Sequence, residues 1–367
     1  MLVGEAKIRI QNKFEGGHSI DTDWNLVLQE AVEAMLIQIN PPTLKRTSAL
    51  YGGTNEKVSE YYAPRDLYKP IDVRDVRTDQ TWRYTRPAQF EQNNIGKFTI
   101  NYRNGLPFVK IVDVAKNKHS VLDAFESTTN KTGVPLHSNT YHYITGSNAL
   151  SGNFSDTNTD VIGSVASIDI SDFIQGVAIV VAHIPKSFDV DELKLTLKTD
   201  VDNYYVISAD TSYIVDGWNL IVFDVKNKTT TGAPTLINEY VLTIKMKDGK
   251  SQQVTIDNLT LYETSQLNIE YYTNRAFLDS ETGKTLVRPL RDEDEILLGT
   301  DEAGILVYEG CRVISVEAVK SEAKAREDFT TVLAEKYSQY WKDRPSQEMP
   351  MSYNHSIDID INGYYDS

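Results

Sequence analysis

Between residues 119 and 263 the chain keeps returning to one local pattern. Short runs of β-branched and aromatic residues alternate with clusters of Thr, Ser, Asn, Gly and Pro. The clearest instance is Gly217-Trp218-Asn219-Leu220-Ile221-Val222-Phe223-Asp224, followed by Thr230-Thr231-Gly232 and then by Val254-Thr255-Ile256-Asp257-Asn258-Leu259. Leu220, Val222 and Val225 are expected to point inward from one strand, and Tyr240, Leu242 and Ile244 from another. Further strands are expected at 141–144, 165–170, 177–184, 194–199, 204–207, 218–224, 239–247 and 253–262. So many short strands at regular spacing leave little besides an antiparallel sandwich.

The flanks have a different texture, and they set the domain boundaries expected here: 1–118, 119–263 and 264–367. In the first segment a short alternating strand is expected around Lys7 to Ile10, then a Gly16-Gly17 turn. A helix follows, capped by Asp21, Thr22 or Asp23, with Trp24, Val27, Leu28, Ala31, Val32, Met35, Leu36 and Ile39 in one apolar stripe. Pro41-Pro42 stops it. Tyr61, Tyr62, Tyr68, Trp82 and Tyr84 then interleave with Arg65, Arg74, Arg77, Arg83 and Arg86. That mixture suits a protein interface and could also stack nucleic-acid bases, but Asp66, Asp72, Asp75 and Asp79 cancel much of its charge. Asn104-Gly105 between two alternating runs predicts a hairpin with a type I′ turn.

The third segment opens with a strand, Leu267 to Tyr272, and a turn at Asp279 to Gly283. It reads as helix from Ile305 to Trp341, interrupted near Lys320 to Ala325 and ended by Pro345. The resulting fold class is α+β and multidomain. An antiparallel β jelly-roll sandwich is inserted between helix-containing N- and C-terminal segments that pack together.

Composition narrows the function. With 37 Lys and Arg against 52 Asp and Glu the net charge is −15, which argues against a protein that grips nucleic acid through clustered cations. No run approaches the roughly 20 apolar residues of a membrane span. The N-terminal residues lack the apolar core of a signal peptide. Cys311, the only cysteine, reads as a small buried apolar residue, so neither a disulfide nor a cysteine-built zinc site is expected.

Catalytic signatures are not found either. The sequence has no GxSxG elbow, Walker loop, dinucleotide fingerprint or HExxH, and its six histidines do not pair at helical spacing. Asp292-Glu293-Asp294-Glu295 could pair carboxylates for acid–base work, but reads first as a solvated run before a helix. No catalytic residue and no cofactor are expected. The sequons at Asn130, Asn153, Asn227, Asn258 and Asn354 read as accidents of an Asn/Thr-rich domain.

Several strings in the central segment come in the order found in one known group. They are Val121-Leu122-Asp123-Ala124-Phe125-Glu126-Ser127, Ile168-Asp169-Ile170-Ser171-Asp172-Phe173, Val180-Val181-Ala182-His183-Ile184-Pro185, Asn203-Tyr204-Tyr205, Asp216-Gly217-Trp218-Asn219, Thr230-Thr231-Gly232 and Ile256-Asp257-Asn258. This segment resembles the galactose-binding-like and carbohydrate-binding-module jelly rolls. The resemblance implies a structural role for Trp218, makes Tyr204 or Tyr205 a candidate platform for a sugar ring, and makes Asp257 a candidate ligand for a structural calcium. The flanks, in Ile269-Glu270-Tyr271-Tyr272 with Thr282-Gly283, in the acidic run leading to Ile305-Leu306-Val307-Tyr308-Glu309, and in the ending Tyr337 to Gln347, look like a kind of tailed-bacteriophage virion protein. That likeness implies a non-enzymatic neck or head–tail connector assembled as a ring in the host bacterial cytoplasm. Its partners would be copies of itself and portal, connector or tail proteins. The alternative is a carbohydrate-binding or host-adhesion protein of the virion that acts through the jelly roll on a surface glycan.

Overall fold

The computed structural model describes residues 1–13, 22–52, 58–90, 95–112, 118–317 and 323–342. The expected Gly16-Gly17 turn, the cap at Asp21 and the stop at Pro345 lie outside them. The chain forms two units. One joins Met1–Leu44 to Asn274–Ser367, so the chain ends do come together, and the other is Lys45–Thr273. The contacts therefore part at 44 and 274, not at 118 and 264, because strands from both sides of the central segment share a sheet.

That sheet contains β1 (Lys45–Ala49), β2 (Tyr51–Gly52), β3 (Val58–Tyr62), β4 (Leu67–Asp75), β5 (Thr81–Tyr84), β6 (Lys97–Arg103) and β7 (Leu106–Val112). The eighth strand, β20 (Leu267–Thr273), arrives from beyond the sandwich, and the spatial order is β1-β20-β4-β5-β6-β7-β3-β2. Its two edge strands, β1 and β2, are separated in the chain by Leu50 alone, so the sheet must roll until its edges meet. Inside the roll lie Tyr61, Trp82, Phe98, Val109, Ile111 and Ile269. The described part of the aromatic and arginine-rich segment, 58–90, thus contributes three strands to this sheet. Tyr61 and Trp82 face inward rather than toward a partner. The β6–β7 turn is as the sequence predicts, with Asn104 at φ 49° and Gly105 at φ 80°.

The sandwich follows as β8 (His119–Asp123), β9 (Lys131–Gly133), β10 (Leu136–Asn139), β11 (Ala149–Ser155), β12 (Asp160–Asp169), β13 (Val177–Ile184), β14 (Val190–Lys198), β15 (Tyr204–Ser208), β16 (Gly217–Asp224), β17 (Thr229–Thr231), β18 (Leu236–Met246) and β19 (Ser251–Tyr262). One sheet runs β10-β11-β19-β13-β16, with β8 also paired to β19; the other runs β17-β15-β14-β18-β12-β9. The chain passes repeatedly between the two sheets, and Phe154, Val180, Leu195, Phe223, Tyr240 and Leu261 fill the space between them.

Three expectations need correction here. Residues 141–144 are not a strand. In β16 the inward residues are Ile221 and Phe223, with Val225 just beyond the strand; Leu220 and Val222 face outward, because pairing with β13 puts them opposite Val181 and Ile179. Residues 7–10 belong to a helix, α1 (Val3–Lys13), whose buried Val3, Ala6 and Ile10 form one stripe while Ile8 stays exposed.

The terminal unit comprises α1, α2 (Trp24–Gln38), α3 (Thr300–Glu317) and α4 (Ala323–Lys342), with a small sheet of β21 (Phe277–Leu278), β22 (Thr285–Leu286) and β23 (Glu295–Ile296). Asp23 caps α2 by accepting the Leu26 N–H at 3.2 Å, and the expected apolar stripe of α2 is buried from Val27 to Ile39, with Trp24 at its start only partly so. Two buried glutamates of α3 fix α4. The Glu302 carboxylate accepts the Gly299 N–H at 2.9 Å, reaching back one turn to the helix N-terminus, and the Tyr340 hydroxyl at 2.9 Å. One helical stretch on, Glu309 accepts from the Tyr337 hydroxyl and from Arg312 Nε. Cys311 is buried as expected, and burial pushes its thiol up to about 12.

Asp292, Glu293 and Glu295 of the acidic run are exposed, as expected of a solvated face, and Asp294 is the exception. Asp294 is fully buried and accepts from the Ser280 N–H and hydroxyl and from the Leu290 and Arg291 N–H groups, so it knots the loop ahead of α3. Burial works to raise its pKa, but these hydrogen bonds hold it below the usual carboxylate value.

Candidate binding face of the jelly roll

Strand period decides which side chains share a face, and in the β13-containing sheet the outward residues divide sharply. At one end they are apolar. Val177, Ile179, Val181 and Tyr262 pack with Trp218 against Tyr62, Leu106 and Phe108 of the rolled sheet. Tyr62 and Phe108 stand 5.3 Å apart between ring centroids, and Asn258 Nδ2 donates to the Tyr62 hydroxyl at 3.2 Å. Burial raises the Tyr62 phenol to about 12. Trp218 is therefore structural, as expected, but it fills the seam between the rolled sheet and the sandwich rather than the sandwich interior.

At the other end the same face is polar. Pairing aligns His137 on β10, Ser151 on β11, Thr255 on β19, His183 on β13 and Trp218 on β16 in one row across five strands. The Ser151 and Thr255 hydroxyls bond to each other at 2.7 Å, and Asn139 Nδ2 donates to Ser151 Oγ at 3.0 Å. His137 meets the Gln253 amide at 3.0 Å. The His183 ring lies edge-on to Trp218 at 5.5 Å and 6.1 Å from the His142 ring. Burial first, then the neighbouring His142 and Arg65, lowers the His183 pKa. Ser151 and Thr255 make a buried floor, while His137, His142 and Gln253 stand exposed around it.

A loop from Thr140 to Asn148 walls this floor, and Asp257 anchors it. The Asp257 carboxylate accepts from the Ile144 and Thr145 N–H groups at 2.6 and 2.8 Å and from the Thr145 hydroxyl at 2.7 Å. Glu126 accepts from the Ser147 N–H and hydroxyl, Asn139 Oδ1 from the Tyr141 and His142 N–H groups, and the Tyr143 carbonyl from Asn104 Nδ2 of the rolled sheet. Held at so many points, the loop presents Tyr141 with 90% of its surface exposed.

The residues singled out from sequence fall in separate places. Tyr205 is buried in the sandwich core, its hydroxyl donating to the Pro234 carbonyl at 3.1 Å, so it cannot be a platform for a sugar ring. Tyr204 points outward from the other sheet, in a row with Lys198 and Glu239. Asp257 does not fit calcium. Two amides and a hydroxyl occupy its oxygens, placing positive dipole ends where a cation would have to sit. Among the described residues no group of three or more His, Cys, Asp or Glu could hold a metal.

Sequence reasoning gave no glycan-binding role to His137, His142, His183, Ser151, Thr255 or Tyr141. The available signal was the outward parity of His183 and Thr255 in strands already expected; the alignment with His137 needed the β10–β11 pairing.

No family model matches this sequence, and no curated protein does. Solved structures do resemble the sandwich. A family 11 carbohydrate-binding module from Clostridium thermocellum, in complex with a β-1,3-1,4-mixed-linked tetrasaccharide, is 13% identical, with a TM-score of 0.30 over 41% of this chain and 99% of its own. The xylan-binding module CBM15 is 12% identical at a TM-score of 0.27 over 41% and 98%. A β-1,3-glucan-binding module of family 6 from Bacillus halodurans is 7% identical at 0.26 over 40% and 96%. At these values the likeness carries no weight in the argument, and the fold rests on the strand pairings themselves.

Proposed function

We propose that the chain is a non-catalytic carbohydrate-binding protein that takes glycan on the polar half of the β13 sheet face. The observation carrying this reading is that His137, Gln253 and His142 stand exposed and His183 partly exposed over the buried Ser151–Thr255 pair, beside a pinned loop that exposes Tyr141. Sugars need hydroxyl, amide and imidazole partners at fixed positions, and an exposed aromatic to cover a pyranose face. Anchoring the loop in advance lowers the entropy cost of binding. On a glycan array, Tyr141→Ala and His183→Ala lose tenfold or more in signal, and Tyr204→Ala leaves it unchanged; the reverse pattern refutes the site.

A second reading places the protein in a phage virion as a neck or head–tail connector. What favours it, besides the quoted residues, is that the chain ends fold as their own unit, separate from the unit carrying the jelly roll. Most of the apolar helix surface expected to bury against copies of the chain is already buried within that unit. Ring formation with portal, connector or tail proteins is the expected result, and a purified chain that stays monomeric beside them counts against it.

A further inference from the structure

Lys131, Gly163 and Tyr240 stand in one row across β9, β12 and β18. Tyr240 fills the space between the two sheets, so the row puts the Lys131 side chain on the inner face of the sandwich, an unusual place for a lysine. Gly163 leaves the middle of the row open. A Cβ there would come within 2.4 Å of the Tyr240 ring, so the ring can lie across β12 only over a residue with no side chain. Lys131 Nζ is 3.0 Å from Oδ2 of Asp123, the last residue of β8, and the two side chains keep only 9% and 12% of their surface exposed. The same Nζ donates to the Ser127 carbonyl at 2.6 Å and lies 5.5 Å from the centre of the Phe125 ring.

The Asp123 carboxylate is held at both oxygens. Oδ1 accepts the Phe125 N–H at 2.7 Å, and Oδ2 accepts the Tyr240 hydroxyl at 2.5 Å. Phe125 takes a left-handed φ of 52°, a conformation that bulky residues rarely hold unless their surroundings impose it. Together these are the parts of an acyl transfer: an amine beside a carboxyl carbon, an N–H on the oxygen where negative charge would develop, and a hydroxyl on the oxygen that would leave. Withdrawing both charges from water also favours proton transfer within the pair, which yields the neutral amine and acid that can react.

We propose that Lys131 and Asp123 join in an intramolecular amide that the chain forms by itself. A proton passes from the Lys131 ammonium to Asp123 Oδ2, and the freed electron pair of Nζ attacks Cγ. Negative charge collects on Oδ1 against the Phe125 N–H. Nζ then gives a second proton to the Tyr240 oxygen as the Tyr240 hydroxyl proton passes to Oδ2. The Cγ–Oδ2 bond breaks and Oδ2 leaves as water, the amide keeps one N–H, and nothing is oxidised or reduced. The new bond ties β8, paired to β19 in one sheet, to β9, paired to β12 in the other. It also closes the segment that carries Glu126, whose carboxylate holds Ser147 of the Thr140–Asn148 loop. Neither consequence depends on what the polar face binds.

The test is the mass of the denatured full chain. Expected are a mass one water below that of the sequence and a digest peptide in which Asp123 and Lys131 are joined. Lys131→Arg keeps the positive charge but cannot form the amide, and should restore the full mass; Tyr240→Phe keeps the ring, and should leave most of the chain at full mass. A wild-type chain still at full mass after prolonged incubation in neutral buffer overturns the proposal. So does a water deficit that persists in Lys131→Arg, because the loss then lies elsewhere in the chain. Closure in Tyr240→Phe at the wild-type rate overturns the part given to Tyr240.

Discussion

Asp257 and Asp294 show why single residues were read least well. Both were judged by company: Asp257 by its strand, Asp294 by the acidic run around it. In the fold each is a buried acceptor for loop amides, a role set by partners far along the chain for Asp257 and by a tight local loop for Asp294. Their environments act in opposite directions. Burial, reinforced by Glu126, raises the Asp257 pKa in spite of its hydrogen bonds, whereas for Asp294 the hydrogen bonds prevail. A carboxylate held below its unfolded value of 3.8 stabilises the fold above that pH and loses this contribution as pH falls through the folded value. Asp294→Asn is therefore expected to cost about 1–3 kcal/mol at pH 7 in urea unfolding, with a smaller difference from wild type below pH 3.8. An equal cost at both pH values would show that the charge does not matter.

At the scale of elements, strands with strong local pattern were legible. Residues 177–184, 204–207, 218–224 and 253–262 all fall within observed strands, and the Asn104-Gly105 hairpin is present. Local pattern could not supply pairing. The rolled sheet closes through β20, more than 150 residues from β7, and contacts so distant leave no short-range trace. For the same reason Leu220 and Val222 were assigned to the wrong face: an apolar residue on an outward position is indistinguishable from a core residue until the Tyr62–Phe108 side is known to cover the neighbouring surface. The hairpin turn offers a direct check. Gly105 has a left-handed φ of 80°, and a Cβ there would come within 3.0 Å of the Arg65 guanidinium. Gly105→Ala is expected to destabilise by about 1 kcal/mol or more. It should also disturb the Arg65 side of the glycan face, giving weaker binding alongside a lower Tm.

Across the whole molecule, the order of elements was legible and the division into bodies was not. The jelly roll stands in the middle and the helical ends come together, as composition and pattern suggested. Yet the jelly roll is not alone in its unit. It shares an apolar seam with the rolled sheet, and that seam covers the half of the sheet face where Val177, Ile179 and Val181 lie. The covering leaves the polar half as the place where a ligand can reach this face, with Asn104 and Arg65 of the rolled sheet drawn in beside it. Methyl-detected NMR titration of the intact chain with the oligosaccharide bound most tightly on the array tests this placement directly. Shifts confined to Thr255, Thr145 and Ile144 are the predicted result, and shifts centred instead on Thr196, Val206 and Val241, on the outward face of the opposite sheet, would contradict it.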